Sequence, residues 1–122
     1  MKDVIVSIET EYATKILSGE KTVKFCENIC PQSINKIIIY ELPPVGLITG
    51  EVRVEAIVSG DPRELWYKFG NKANISKQDY DRKFLHKNRI SAYCLSNPRR
   101  YKNTIKLSEF GLSQAPRSMI YL

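Results

Sequence analysis

The chain is poor in histidine, cysteine and long apolar runs, and each shortage removes a class of function. Its 122 residues include one histidine, His86, and three cysteines, Cys26, Cys30 and Cys94. A nucleophilic cysteine needs a base and a group that orients that base. The one imidazole lies in a basic stretch far along the chain from Cys26, so cysteine-based hydrolysis is not expected. An odd number of cysteines does not complete a disulfide framework, and in a reducing compartment they read as small buried thiols. A Cys3His zinc site built with His86 would lack a paired Cys-x2-Cys knuckle. No metal and no other cofactor is expected. No run approaches the roughly 18 apolar residues needed to cross a bilayer. The longest apolar cluster, Ile37-Ile38-Ile39-Tyr40, has the length of a strand. Ser7, Glu9 and Glu11 interrupt any signal-peptide core after Met1. Repeats, low-complexity tracts and linkers are also absent. The expectation is one cytoplasmic domain over residues 1–122, not associated with a membrane and long enough to bury a core.

Acids are scarce too, and unevenly so. The chain carries 19 Lys and Arg against 13 Asp and Glu, a net charge of +6. Residues 63–106 hold twelve of the bases and only three of the acids, so acids outnumber bases elsewhere. Such segregation suits a polyanionic partner, most often nucleic acid. Solvated helix faces would account for the same charges. No feature identifies a protein partner.

The apolar pattern alternates more often than it repeats at helical spacing. Asp3–Ile8 reads as a strand. Thr10 is expected to cap a helix with Ala13, Ile16 and Leu17 on its apolar stripe, ended by Gly19. Thr22–Cys26 is a second strand. Lys36–Tyr40 is apolar on both faces and should be central and buried. After the turn forced by Pro43-Pro44, a long strand candidate runs from Leu47 to Ser59, whole or divided at Gly50. Asp61 and Ser76 are expected N-caps of two helices, one carrying Leu65, Trp66 and Phe69 and stopped by Gly70. The other turns Tyr80, Phe84 and the stem of Lys83 inward. Arg89–Leu95 is a strand, Asn97-Pro98 a turn, and a last extended run reaches Ile105. Leu107–Gly111 reads as a helical turn, and the apolar tail ending at Leu122 should be docked. This is an α+β order with strands in the majority. It fits a small barrel or strongly curled sheet of five to six mostly antiparallel strands with flanking helices.

One junction carries chemistry. Ile16-Leu17-Ser18-Gly19-Glu20-Lys21 ends a helix on a glycine and places a lysine on the rigid turn before a strand. Lys21 there is either a phosphate-binding point charge or a solvated cation favoured by the helix dipole. Thr22, Lys24 and Cys26 share one strand face, with Val23 and Phe25 on the other. Arg99, Arg100, Tyr101 and Lys102 interleave basic groups with an aromatic ring, as single-strand binding requires. A solvated hairpin with Tyr101 turned inward is the alternative. Tyr12, Tyr40 and Tyr93 read as core or cleft wall, and Trp66 as core.

In order and spacing the chain resembles the ASCH-domain family, a branch of the PUA-like β-barrels. The resemblance runs through Ser7-Ile8, Glu11-Tyr12-Ala13, the Gly19-Glu20-Lys21 junction, Val45, Gly50-Glu51 and Glu64-Leu65-Trp66. It continues through Ile75-Ser76, Ala92-Tyr93, Asn97–Tyr101 and Ala115-Pro116-Arg117-Ser118. It implies a cleft beside a PUA-like barrel, with Arg117 and Ser118 among its walls. The family signature there is Gly-x-Lys-x-x-Glu-x-Arg. Gly19 and Lys21 match it, while Lys24 and Cys26 replace the Glu and Arg, leaving no carboxylate for general-base work at that position. Relatives that hydrolyse acetylated cytidine use a Lys, a Thr and a Glu. Lys21 fits the first, Lys24 falls at the second, and Asn71–Ser76 supplies no glutamate. Other relatives implied by the resemblance are metal-dependent ribonucleases acting on single-stranded RNA.

Two functions are therefore carried forward. The first is an RNA-binding module, in RNA processing or in regulating transcription or translation. It would hold RNA or other single-stranded nucleic acid through Lys21, Lys24, Tyr40, Arg99, Arg100, Tyr101, Arg117 and Ser118. The second is an RNA-directed enzyme using the same cleft, a ribonuclease or a modified-nucleoside hydrolase, with Lys21 as the candidate catalytic group.

Overall fold

A computed structural model describes residues 2–27, 33–117 and 119–122. The N-terminal alternation forms β1 (Lys2–Ile8), which leads almost directly into α1 (Thr10–Ser18). Then come β2 (Val23–Cys26), β3 (Ile34–Glu41) and β4 (Leu47–Gly60). Two short helices, α2 (Pro62–Phe69) and α3 (Lys77–Phe84), are joined through a 3-10 turn at Gly70–Lys72. The chain closes with β5 (Ile90–Ile105), a 3-10 turn at Leu107–Phe110 and β6 (Met119–Tyr121). One curled, half-barrel sheet runs in the order β2-β5-β4-β3-β1-β6. All its pairings are antiparallel except that of β1 with β3. A parallel pair needs a long crossover, and α1 with β2 supplies it.

The run Ile37–Tyr40 is central for the reason its sequence gives. Ile37 and Ile39 pack beneath α1 with Val4, Val6, Ile8, Ala13 and Ile16. Ile38 and Tyr40 point the other way, onto Ile5, Ile48, Tyr101 and Phe110. A third group joins Phe25 of β2 to Tyr80 and Phe84 of α3 and to Leu65 of α2. Full burial of each such side chain contributes roughly 1.5–3 kcal/mol. The tail is docked, with β6 paired to β1 at Val4–Val6.

Two local expectations need correction, and the alternative left open at Gly50 is decided. Thr10 is the first helical residue and not the cap; Glu9 takes the extended cap position without a side-chain bond, and its carbonyl accepts from the Ala13 amide at 2.9 Å. Asn97 does have positive φ, at 50°, but no hairpin forms there. β4 continues as a partner on both sides of it, so the extra residue is absorbed as a bulge within one 16-residue strand. Gly50 does not divide β4. It is a close-approach point, where a Cβ would lie 2.6 Å from the Arg99 carbonyl oxygen and 2.8 Å from a Leu17 methyl.

Candidate functional site

The α1–β2 junction is fixed by backbone bonds to three other places. Gly19 caps α1 with φ 87°, and its amide donates to the Ile16 carbonyl at 3.1 Å. The Lys21 amide donates to Lys15 at 2.9 Å, and the Thr22 amide to Lys72 at 2.9 Å. The Thr22 carbonyl accepts from the Leu95 amide at 2.8 Å. With its backbone held this way, the Lys21 side chain turns inward. It is 6 % exposed, and its ammonium donates to the Ala73 carbonyl.

Above it lies a cavity of about 240 Å³. Its polar wall is Lys21, Lys24, Lys83, Tyr12, Ser7 and Glu9, and its apolar wall includes Ile8, Ile16, Phe25, Leu42, Ile75 and Phe84. Lys83 reaches it because α3 docks on β2. The Phe25 ring meets Tyr80 edge-on at 4.7 Å between centroids and Phe84 at 6.0 Å. That brings Lys83, the neighbour of Phe84, toward Lys24, the neighbour of Phe25. Tyr12 stands between two cations, its ring centre 5.4 Å from the Lys21 nitrogen and 5.3 Å from that of Lys83. Such contacts favour the charged amines modestly.

The electrostatics is that of positive charge without a matching acid. Burial, then the fields of Lys24, Lys15 and Lys83, pull the Lys21 ammonium down to about 8. Burial also holds Lys24 below the ordinary lysine range; the Cys26 sulfur opposes this and Lys83 adds to it. Among the described residues Glu9 is the sole carboxylate in the cavity wall, and it is exposed. Among the described residues no group of three or more His, Cys, Asp or Glu is placed to hold a metal. Among those residues the cavity wall offers three lysines and one exposed carboxylate, a donor set that does not fit a resident metal ion. Cys26 and Cys94 are free thiols. Burial pushes the Cys94 thiol up, with Lys72 opposing, which works against thiolate chemistry there. Cys30 lies outside the described residues.

Of the residues expected at the site, Lys21 and Lys24 meet in the cavity wall. Tyr40 does not join them; it is buried in the cluster on the opposite face of β3. Tyr101 is turned inward and donates to Glu51 Oε1 at 2.7 Å, and Lys36 reaches the same carboxylate at 3.2 Å. Burial and the Glu51 carboxylate push the Tyr101 phenol well above its usual range. The Arg99 guanidinium lies 5.4 Å from the Tyr101 ring centre. Arg100 contacts the buried Glu41 carboxylate at 3.8 Å. Arg117 is exposed, and Ser118 lies outside the described residues. The sequence reading missed Lys83 as a cavity cation and Tyr12 as the ring between lysines. Helical spacing turns the stem of Lys83 inward with Tyr80 and Phe84, but nothing local tells that its ammonium reaches this cavity.

A curled mixed sheet with helices at its ends and a lysine-lined cavity beside β2 defines a PUA-like domain. No family model matches the chain. It is 35% identical over 125 residues to a protein of Zymomonas mobilis named ASCH domain-containing ribonuclease, covering 99% of this chain and 84% of that one. The crystal structure of ASCH from Zymomonas mobilis matches with a TM-score of 0.89 and 32% identity, over 99% of this chain and 87% of the other. Large ribosomal subunit protein uL22 of Ureaplasma parvum is 26% identical over 103 residues, a stretch covering 84% of this chain but 33% of that protein. The chain belongs to the ASCH-domain family.

Proposed function

We propose that this domain binds single-stranded RNA, with one nucleotide in the cavity. Its phosphate meets Lys21, Lys24 and Lys83, and its base lies against the Tyr12 ring. The observation that carries this reading is the convergence of three ammonium groups with one exposed carboxylate. An anion offsets both the burial and the fields of Lys24, Lys15 and Lys83 that lower the Lys21 pKa. The cavity is smaller than the roughly 300–1,000 Å³ of drug-sized pockets, which suits a single nucleotide. Arg99, Arg100 and Arg117, outside the cavity wall, are assigned to outlying phosphates. The ribonuclease name of the Zymomonas relative supports RNA as the polymer. Free thiols at Cys26 and Cys94 support assignment to the cytoplasm.

The test is fluorescence anisotropy with a labelled single-stranded RNA over a series of salt concentrations. Each phosphate contact contributes about −0.7 to the slope of log affinity against log salt. Lys21→Ala and Lys24→Ala should each weaken binding and flatten that slope. Unchanged affinity and slope in both variants would rule the cavity out.

The relative's name also favours a second reading, cleavage of RNA in the same cavity. Lys21 is then the cation that stabilises charge developing on the phosphate. The proton transfers would fall to groups other than histidine, since none lines the cavity. Incubating labelled RNA with and without divalent metal, beside acylated nucleosides, separates binding from turnover. Intact RNA and intact acyl groups under all conditions leave the binding module alone.

A further inference from the structure

The outer face of α2 carries an aromatic residue for which the fold has no use. Tyr67 is 91% exposed, whereas Trp66 and Phe69 of the same helix pack on the core. Arg63, Glu64, Tyr67 and Lys68 line a shallow depression there. Beside it, Trp66, Tyr67, Lys68, Asn71, Ile75 and Lys77 line an adjoining hollow. Ile75 is a wall of both that hollow and the lysine cavity, so the two adjoin at its side chain. Lys77 is committed to Asp81 and to the Trp66 ring, 5.7 Å away. Arg63 and Lys68 have no ion-pair partner among the described residues. The face thus offers an open ring between two uncommitted cations, beside a hollow that shares Ile75 with the cavity.

We propose that this face is a second contact surface for the same RNA strand. Nucleotides flanking the one in the cavity cross Ile75 onto α2, where a base stacks on Tyr67 and phosphates meet Lys68 and Arg63. Stacking of this kind accepts any base, because every base has a π-face. The proposal rests on the RNA reading of the cavity and extends it from one nucleotide to a run.

The experiment is a length series of labelled oligouridylates, from a dinucleotide to about 12 nucleotides, within the known range of single-strand site sizes. Affinity should climb with length in the unsubstituted protein. Tyr67→Ala should remove most of that climb, weakening the longest oligomer by roughly fivefold or more while leaving the dinucleotide unchanged. Tyr67→Phe should keep the climb. Arg63→Ala with Lys68→Ala should flatten the salt slope of the longest oligomer by about 1.4. Tyr67 is too exposed for its loss to threaten folding. Equal binding of long oligomers by Tyr67→Ala and the unsubstituted protein overturns the proposal and leaves the cavity reading intact. A Tyr67 effect with no Lys21→Ala effect at any length overturns both, because the strand then does not start in the cavity. If sedimentation shows Tyr67→Ala losing self-association with RNA affinity unchanged, the face belongs to a protein contact and the proposal also falls.

Discussion

The buried Lys21 ammonium donates to the backbone carbonyl of Ala73, tying the turn after α1 to the segment between α2 and α3. One carbonyl does not neutralise a cation that faces Lys24 and Lys83. Burial first, and then the fields of Lys24, Lys15 and Lys83, bring its pKa down to about 8. A bound phosphate favours the charged form, so binding takes up a proton near that pH. RNA affinity should be full below about pH 8 and decline above it. Lys21→Met should bind about tenfold more weakly at neutral pH and show no such decline. Anisotropy at constant ionic strength from about pH 6.5 to 9.5 measures this. A flat profile in the unsubstituted protein would exclude Lys21 as an anion contact.

Stability should move the opposite way. The folded pKa of Lys21 is depressed below its unfolded value of 10.5, so folding disfavours the charged form. That cost is fully present below about pH 8 and is relieved as pH rises from there toward 10.5. Relative to Lys21→Met, the unsubstituted protein should gain up to about 3 kcal/mol across that window. Urea unfolding of both proteins at several pH values reads the difference directly. A constant difference would mean that Lys21 is not strained by its burial.

How much of this was legible beforehand depended on how local the cause was. Asp61 and Ser76 cap their helices by bonds to amides two and three residues away, at 2.8 and 3.1 Å, and such short-range rules are written in sequence. The strand runs of β1 and β4 were equally plain from their alternation, and β3 from a short run apolar on both faces. Asn97 shows local chemistry read correctly and placed wrongly. Its positive φ is a turn preference, but pairing with β4 beyond it made a bulge. The cavity was half legible. Lys21 and Lys24 lie together on a junction whose glycine and strand are visible in sequence. Lys83 joins them only because Tyr80 and Phe84 pack on Phe25, a contact across nearly 60 positions that no local pattern announces. Tyr101 was open between stacking and packing, and its bond to Glu51 turns it inward.

Gly50 should be intolerant of even one added carbon. A Cβ there meets backbone on one side, the Arg99 oxygen at 2.6 Å, and a packed Leu17 methyl on the other. The methyl can turn, but the carbonyl belongs to the β4–β5 ladder and moves only with the strand. Gly50→Ala should cost about 1–3 kcal/mol, the usual penalty for overpacking. In urea it should lower the midpoint without changing the slope. A midpoint equal to that of the unsubstituted protein would show that β4 and β5 can separate there at no cost.

Glu51 should set part of the acid limit of the fold. Burial by itself would raise its pKa, but hydrogen bonds from Tyr101 and Lys36 and the field of Arg99 outweigh it and hold the carboxyl below its ordinary 4.5. A carboxylate depressed on folding contributes stability that is present above its unfolded pKa and is lost as pH falls through the folded one. Stability should therefore fall as pH drops below about 4.5. Glu51→Gln should be less stable at neutral pH, by about 1–3 kcal/mol for hydrogen bonds to a charged group, and flatter in acid. Tyr101→Phe removes one of those bonds and should move the same way by a smaller amount. Thermal unfolding of the three proteins between about pH 3 and 7 gives the comparison. Parallel curves for Glu51→Gln and the unsubstituted protein would place the acid sensitivity on other carboxylates.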